Sequence, residues 1–406
     1  MEKVVITGLG VVSPIGNGVE DFAASLFAGR HGITHVDRFD TSDMSVRLCA
    51  PVKDLDTTAY FSPSQVRRLD QYSVYGLIAA KQAIQDAGLR DSIDPFRLSV
   101  YMSTALGGVG TLLDESRTLS EQGPRKVSPM LVPKWTPNIL SGLVAIDTGA
   151  RGAAMSHSAA CASSATSIGE GVRTIRHGYA DAVICGGAEA LIQKLPMAGF
   201  QNLRALSTTA DPDRASIPFD RERSGFIMGE GGAALVLERE SHARARGAAI
   251  YAEVSGYGVT CDAFHVTAPA EDGVAIDRAI TDALAEAGER LEQVYVNAHG
   301  TSTVKNDRVE AAAIERRFGE RAMVSATKSA TGHMLGASGA VEAIASVLAI
   351  RRGTIPPTVG TERLDDDMRI DLVRGRARPA EVSRAVSLSL GFGGHNVCLV
   401  FDKVAG

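Results

Sequence analysis

The sequence predicts an α/β protein made of two similar β-α-β halves. Strand and helix patterns alternate along the whole chain, and this alternation is typical of sheets that are covered by helices. Three segments of the first half recur in the same order in the second half, and no linker separates the halves. We therefore expect one compact unit, with residues 1–250 as the N-terminal half and residues 251–406 as the C-terminal half.

The individual elements follow from local patterns. Residues 4–7 predict a buried strand that ends at Gly8-Leu9-Gly10, and residues 98–102 predict a second strand. Residues 74–87 have helical apolar periodicity and are closed by Gly88. Two long stretches without periodicity, residues 30–63 and 116–137, predict irregular loops that cover something or carry function.

The repeat is visible in three pairs of segments: residues 6–11 and 254–259, residues 83–88 and 283–288, and residues 100–102 and 294–296. Matches of this kind in one order indicate a duplicated architecture. We expect the halves to pack about a pseudo-twofold axis. Equivalent loops from both halves would then surround one cleft, so that residues far apart in sequence can share a site.

The composition excludes several classes of protein. The apolar fraction of 45% and the charged fraction of 22% are globular values, which exclude disordered and collagen-like chains. A net charge of −5 argues against nucleic acid as a partner. The five cysteines are scattered without a CxxC pair, which fits a reducing compartment and gives no zinc spacing. Residues 340–350, interrupted by Glu342, predict a buried helix rather than a membrane span, and we expect a cytoplasmic protein without a membrane partner.

Cys161 is a candidate nucleophile. It follows a small-residue strand pattern and precedes a predicted helix of very small side chains. A cysteine at a helix N-terminus lies at the positive end of the helix dipole, which stabilises a thiolate. The alternative is a buried, inert cysteine, since free cysteine is among the most buried residue types.

Two further stretches carry histidines. His299 follows an apolar strand pattern and precedes glycine and three hydroxyl residues, at the end of a strand where α/β sheets bind ligands. Lys328 and His333 lie between a strand and the helix of residues 340–350, in the place that Cys161 has in the first half. The alternatives are a histidine satisfied in the core and a solvated lysine, although a lysine near Glu342 can also be a buried, paired charge.

The last stretch is Gly391-Phe392-Gly393-Gly394, whose glycines allow positive φ angles and movement of the phenylalanine ring. The alternative is an ordinary glycine-rich turn. A dinucleotide-binding loop at Gly8-x-Gly10 is a poor interpretation, because Ser13 stands where the third glycine belongs. Residues 325–328 fit S-x-x-K, but no K-T-G follows.

Together, the four stretches AAC, NAHGT, KSATGH and GFGG resemble the β-ketoacyl-acyl-carrier-protein synthase family, the condensing enzymes with the thiolase fold. The resemblance covers essentially the whole chain. It implies a duplicated thiolase-like fold with α-β-α-β-α layers. It also implies a decarboxylating Claisen condensation, in which an acyl chain is transferred to Cys161 and malonyl carrier protein then loses carbon dioxide and attacks.

The resemblance implies a role for each residue of the site. The backbone N–H groups of Cys161 and Phe392 form the oxyanion hole, and Phe392 is also the gate to the acyl cavity. His299 and His333 donate hydrogen bonds to the enolate. Lys328, held by Glu342, sets the field around His333.

The resemblance also implies the substrate contacts. Thr301 and Thr303 contact the phosphopantetheine arm, Leu106 limits the depth of the acyl chain, and Phe264 is a further substrate contact. No metal and no tightly bound cofactor is expected, since the arm arrives on the acyl carrier protein. The positions that dock this acidic partner in relatives carry basic residues here, which are otherwise scattered solvated charge: Arg67, Arg68, Arg125, Lys126 and Arg204.

The sequence departs from the family pattern at two places. Fatty-acid enzymes usually read N-S-F-G-F-G-G-T-N, whereas residues 388–396 read L-S-L-G-F-G-G-H-N. The N-D-R-x-E pattern of residues 306–310 is more similar to ketosynthase subunits of bacterial type II polyketide systems. We therefore favour a polyketide or polyene ketosynthase subunit that pairs with a chain-length-factor-like homologue. Trp135 lies in the loop where relatives form the dimer contact and the wall of the acyl pocket.

Other interpretations stay open. One is a homodimeric synthase of fatty-acid elongation. Another, from a different functional class, is an inactive scaffold that binds carrier protein. The presence of Cys161 argues against the chain-length factor itself, and a C-terminal glycine-rich motif without cysteine argues against a degradative thiolase.

Overall fold

The computed structural model describes residues 2–89, 92–288 and 293–404. Its strands are β1 Val4–Val12, β2 Thr34–His35, β3 Leu48–Cys49, β4 Leu98–Ser103, β5 Ala154–Met155, β6 Ala182–Glu189, β7 Gly231–Arg239, β8 Ala252–Cys261, β9 Val294–Asn297, β10 Ala322–Ser325, β11 Thr354–Ile355, β12 Asp371–Leu372, β13 Arg378–Pro379, β14 Arg384–Gly391 and β15 His395–Asp402. Its α-helices are α1 Val19–Phe27, α2 Pro63–Val66, α3 Gln71–Ala87, α4 Val109–Gln122, α5 Leu131–Trp135, α6 Ile139–Thr148, α7 Ser163–Arg176, α8 Lys194–Asn202, α9 Glu240–Ala245, α10 Val274–Ala287, α11 Val304–Phe318, α12 Lys328–Thr331 and α13 Ser338–Arg352.

The strand order repeats. The main sheet has the order β12-β10-β9-β14-β15-β8-β1-β7-β6-β4-β5, and β1 meets β8 through only the pairs Val5–Glu253 and Ile6–Ala252. On each side of this junction the order is the same, β1-β7-β6-β4-β5 and β8-β15-β14-β9-β10. The directions also agree, since the first two pairings of each set are antiparallel and the next two are parallel. The expected duplication is confirmed.

The helices form the expected α-β-α-β-α layers. Helices α3 and α6 pack on the N-terminal sheet, α10 and α11 pack on the C-terminal sheet, and α7 and α13 pack against each other in the central layer. A Cβ atom at Gly339 would lie 2.8 Å from the amide nitrogen of Ala165, so the small residues of α7 and α13 let the two helices approach closely. Because both halves share this layer, a boundary at residue 250 stays a prediction.

The Gly-x-Gly segments serve sheet–helix packing. Strand β1 continues through Gly8 and Gly10 to Val12, so the predicted end at Gly8 is wrong. A Cβ atom at Gly8 would clash with the carbonyl oxygen of Ala83 in α3. Gly256 has the same relation to Ala283 in α10. The glycines therefore let each sheet approach its outer helix, which packing alone explains.

The long loops are only partly irregular. Residues 30–63 carry little regular structure beyond β2 and β3, as expected, but residues 116–137 contain the end of α4 and all of α5. Helix α4 buries only Thr111, so it lacks the apolar stripe by which a helix is recognised in a sequence. Within the described part of the chain, no helix is long and apolar enough to cross a bilayer.

Candidate active site

Cys161 lies in a tight turn at the start of the central helix α7. The turn is a 3-10 helix over Ala160–Ala162, and α7 begins at Ser163; the preceding strand β5 has only two residues. Ala160 has a φ of 48°, and Leu335 has the same φ just before the equivalent turn Leu335–Ala337 of the other half. Both halves therefore use one turn geometry to enter α7 and α13. Cys161 faces a cavity of about 590 Å³.

The imidazole of His333 faces the sulfur. Its Nε2 lies 3.0 Å from Sγ of Cys161. On the opposite edge of the ring, the backbone N–H of Leu335 donates to Nδ1 at 3.3 Å, and Oγ of Ser338 lies 3.0 Å from the same atom. Because Nδ1 accepts a hydrogen bond, the neutral ring carries its proton on Nε2. Burial and the charge of Lys328 hold the pKa of His333 well below its usual value, so the ring is neutral.

The same tautomer follows for His299. The ammonium of Lys328 donates to Nδ1 of His299 at 3.1 Å and to the carbonyl oxygen of His299 at 2.6 Å. Lysine has no acceptor, so Nδ1 accepts and Nε2 bears the proton. Burial, Lys328 and His333 hold the pKa of His299 well below its usual value. The two imidazole rings meet edge to face with centroids 5.3 Å apart.

Lys328 is a buried, paired charge. It forms an ion pair with Glu342 in α13, and both side chains are buried. Burial raises the pKa of Glu342 to about 7, and the charge of Lys328 opposes that rise. The pair ties the loop after β10 to the central helix and fixes the ammonium against His299.

The glycine-rich turn between β14 and β15 brings Phe392 to the nucleophile. The backbone N–H of Phe392 donates to Sγ of Cys161. A side chain at Gly391 would lie 2.6 Å from the carbonyl oxygen of Ala159, so glycine is needed where the turn meets the nucleophile loop. The Phe392 ring is partly exposed, and its centroid lies 6.3 Å from that of Phe200. The position suits both an oxyanion donor and a gate.

The structure favours a resting thiol over the expected thiolate. Burial raises the pKa of Cys161 to about 12, although Lys328 and the N–H of Phe392 act in the opposite direction. The sequence shows the helix N-terminus but not the complete burial of the sulfur, and burial has the larger effect. Since Nε2 of His333 is a donor, that ring stabilises the sulfur anion rather than accepting its proton.

Alkylation of Cys161 should therefore depend strongly on pH. Only the thiolate reacts, so the rate constant with iodoacetamide is expected to rise about tenfold per pH unit from pH 6.5 to 9, because this range lies below the raised pKa. Peptide mass spectrometry measures the labelling of Cys161. A rate that is constant above pH 7 would show that the thiolate already forms there.

The predicted substrate residues separate into two groups. Thr301, Thr303 and Leu106 line the cavity, and the hydroxyl oxygens of the two threonines lie 2.9 Å apart. Phe264 does not line it; its side chain is 63% exposed on the loop after β8 and lies beside His265. The expected substrate contact of Phe264 is therefore wrong for this structure, because its loop directs the ring to solvent.

The five basic residues all lie on the surface, but only Arg204 lines the cavity. Arg67 and Arg68 follow α2, and Arg125 and Lys126 follow α4. None of the five forms an ion pair with the rest of the described chain. Their charges are thus available to a partner.

The sequence reasoning missed how the His299 loop is held. The buried carboxylate of Glu310 in α11 accepts the backbone N–H groups of His299 at 2.6 Å and of Gly300 at 2.8 Å. Burial raises the pKa of Glu310 to about 8. The N-D-R-x-E pattern contained this residue, but a helix pattern alone does not show that Glu310 faces the preceding loop.

Beside Glu342 lies a group of buried polar atoms without hydrogen-bond partners in the described chain. They are Oε2 of Glu342, both amide atoms of Asn297, and Oγ of Ser387, which pairs with Asn297 across β9 and β14. Buried polar atoms normally have partners, and ordered water satisfies such groups. Among residues 2–89, 92–288 and 293–404, no group of three or more His, Cys, Asp or Glu side chains could hold a metal ion.

Comparisons with known proteins agree with this geometry. Residues 1–243 match the family model of the beta-ketoacyl synthase N-terminal domain, and residues 251–362 match that of the C-terminal domain. The chain is 45% identical to a 3-oxoacyl-[acyl-carrier-protein] synthase 2 of Synechocystis over 99% of this chain and 98% of that protein. It is 42% identical to the Vibrio cholerae protein of that name over 99% of each chain.

Solved structures extend the similarity. The ishigamide ketosynthase/chain length factor superposes with a TM-score of 0.93 and 36% identity over 100% of both chains. The ketosynthase of a type II polyketide synthase, solved with its acyl-carrier protein and bound to a hexaketide, gives a TM-score of 0.89 and 31% identity over 99% of this chain and 100% of that one. The chain therefore belongs to the β-ketoacyl synthase family and is a condensing enzyme with the thiolase-like fold.

Proposed function

We propose that this enzyme condenses an acyl thioester carried on Cys161 with malonyl-acyl carrier protein, with loss of carbon dioxide. The observation that carries the proposal is the convergence of one sulfur and two Nε2–H donors, from opposite halves, on a single cavity. Fixed donors aimed at one point of a desolvated site stabilise charge that develops there.

In the first step, Sγ of Cys161 attacks the carbonyl carbon of the acyl thioester. A new S–C bond forms, and the C–S bond to the phosphopantetheine arm breaks; the arm leaves as a thiol with the proton that Cys161 loses. The negative oxygen of the tetrahedral intermediate lies between the backbone N–H groups of Cys161 and Phe392. The Phe392 N–H already contacts the sulfur, so it is in place for this role.

In the second step, the thioester oxygen of the malonyl group accepts hydrogen bonds from Nε2–H of His299 and His333. The bond to the carboxylate breaks, carbon dioxide leaves, and the electron pair becomes the enolate. The enolate carbon attacks the acyl carbonyl, and Cys161 leaves as the thiolate. Both rings are neutral, so they act as hydrogen-bond donors and not as charged acids.

The test is product formation from two carrier proteins. Incubation with an acyl carrier protein and malonyl carrier protein is expected to give a β-ketoacyl carrier protein that is longer by one two-carbon unit, detected by mass spectrometry. Folded enzyme that gives no product while Cys161 is labelled slowly or not at all by iodoacetamide would favour the inactive scaffold.

We propose that the carrier protein docks on the five basic residues and delivers its arm along Thr301 and Thr303. Among these residues, Arg204 lies at the cavity. The support is electrostatic, since exposed basic side chains without ion pairs complement an acidic partner.

Reversal of charge at Arg67 and Arg68 tests this surface. The double variant R67E/R68E is expected to raise the KM for the carrier protein by about tenfold, equivalent to about 1.4 kcal/mol, with little change in kcat. The variant R374E/R376E, at two exposed arginines after β12, is the matched control and should keep the KM of the wild type. Equal KM values in both variants would move the docking site elsewhere.

For the pathway, we propose a ketosynthase subunit of a type II polyketide or polyene system, paired with a chain-length-factor-like homologue. The support is the departure of residues 388–396 from the fatty-acid pattern and the similarity to the ishigamide structure. The second candidate is a homodimeric synthase of fatty-acid elongation, which the 45% identity to a 3-oxoacyl-[acyl-carrier-protein] synthase 2 favours.

Both candidates need a dimer surface, and one is present. Edge strand β5 adjoins α5 and α6, where Val132, Ile146 and Met155 are exposed. Exposed edges and apolar patches are typical of interfaces. Light scattering of the chain alone and with a chain-length-factor homologue distinguishes the candidates: a homodimer active alone indicates elongation, and activity only in the mixed dimer indicates the polyketide system.

A further inference from the structure

The buried carboxylate of Glu189 has no role in the chemistry above, yet it connects two walls of the site. Glu189 is the last residue of β6 and is fully buried. Oε2 accepts the N–H of Ala105 at 2.7 Å and the N–H of Gly336 at 3.1 Å. Oε1 accepts the hydroxyl of Thr104 at 2.8 Å. No Lys, Arg or His of the described chain forms an ion pair with it.

One of the two connected segments shapes the acyl cavity. Residues 104–107 follow β4, and the N–H of Leu106 also points to Oε1 of Glu189, at 3.4 Å. The N–H of Gly107 donates to the hydroxyl of Thr104 at 3.0 Å, so every residue of this segment is tied to the carboxylate directly or through one bond. Leu106 and Ala105 line the cavity. The carboxylate therefore holds this part of the cavity wall.

The other segment controls His333. Gly336 follows Leu335, whose strained backbone places its N–H on Nδ1 of His333. A Cβ atom at Gly336 would lie 2.7 Å from Oε2 of Glu189, so the turn sits directly on the carboxylate. Moving this turn would move the N–H that selects the Nε2–H tautomer of His333.

We propose that Glu189 is a positioning residue that sets both the Leu106 wall and the orientation of His333, an inference that rests on the proposed condensation. An ionised carboxylate offers about four acceptor sites, and each oxygen here faces N–H or O–H donors from the protein. A glutamine has only one acceptor oxygen. Whichever way its amide is turned, its NH₂ group would face donors and push one segment away.

The experiment compares Glu189→Gln with the wild type in two assays, decarboxylation of malonyl carrier protein and acylation of Cys161 by short and long acyl carrier proteins. We expect the variant to lose decarboxylation rate on the order of tenfold to a hundredfold, because a displacement of about 1 Å at a reacting group has such an effect. We also expect a several-fold change in the ratio of kcat/KM for long against short acyl chains, since Leu106 shifts.

The matched control is Glu238→Gln. Glu238 is also a fully buried strand carboxylate, but it is held by Arg246 and His242 at the outer end of β7. This variant should lose stability without changing either ratio. If Glu189→Gln does not fold, Thr104→Val, which removes one donor, replaces it and should still change the chain-length ratio.

The outcomes separate the two proposals. A wild type that neither decarboxylates malonyl carrier protein nor forms an acyl-enzyme contradicts the condensation itself. An active wild type with a folded Glu189→Gln variant that has wild-type decarboxylation and an unchanged chain-length ratio overturns only the role of Glu189. A variant that loses decarboxylation and shifts the ratio, while Glu238→Gln shifts neither, supports it.

Discussion

Replacement of Cys161 by alanine is expected to abolish condensation and to spare much of the decarboxylation of malonyl carrier protein. The two activities use different groups in this site. The sulfur is the only group that can carry the acyl chain, whereas Nε2–H of His299 and His333 stabilises the enolate without it. In the variant, His333 loses its contact with Sγ and can donate freely to the malonyl oxygen. Release of carbon dioxide and formation of ketoacyl product are measured in parallel.

The control is Cys185→Ala. Cys185 is a fully buried thiol in β6 that makes only a weak contact with the carbonyl oxygen of Leu235. Its loss should lower stability and leave both activities intact. An equal loss of decarboxylation and condensation in Cys161→Ala would contradict the division of labour between the sulfur and the imidazoles.

Replacement of Lys328 by methionine should have the second largest effect. The ammonium fixes Nδ1 of His299 as an acceptor, so its removal frees that ring to carry its proton on the wrong nitrogen. Loss of one fixed donor typically costs about 2.7–4 kcal/mol of barrier, so malonyl decarboxylation should fall on the order of 10²–10³-fold. Stability should also fall, by about 3–5 kcal/mol, because Glu342 is left as a buried group without its partner.

A double variant separates these two effects. Lys328→Met combined with Glu342→Gln removes both charges, so thermal stability should return toward that of the wild type. Decarboxylation should stay low, because His299 still lacks the donor on Nδ1. Recovery of decarboxylation together with stability would show that Lys328 acts only through folding.

Much of the architecture could be predicted because it is written in local patterns. The alternation of strands and helices, the repeated Gly-x-Gly segments and the apolar helix of residues 340–350 correspond to β1, β8 and α13. The duplication placed His299 and His333 near Cys161 before any coordinates were considered. The pairing of Lys328 with Glu342 was expected from the resemblance to the family, and the structure shows it directly.

What could not be predicted depends on three-dimensional surroundings. Helix α4 has almost no buried side chain, so its residues give no apolar periodicity. The thiol pKa of Cys161 depends on complete burial, which outweighs the helix terminus that the sequence shows. The histidine tautomers depend on the N–H of Leu335 and on the ammonium of Lys328, which are contacts made across turns. Phe264 was misplaced for the same reason, since a loop sequence does not give the direction of its side chains.

The most direct test of the central claim is intact-mass analysis of the enzyme after incubation with a series of acyl carrier proteins, with and without a chain-length-factor homologue, followed by addition of malonyl carrier protein. The account predicts a mass increase equal to one acyl group, located on Cys161 by peptide mapping, that disappears as ketoacyl product forms. An acyl group on another residue, or one on Cys161 that malonyl carrier protein does not consume, would contradict it.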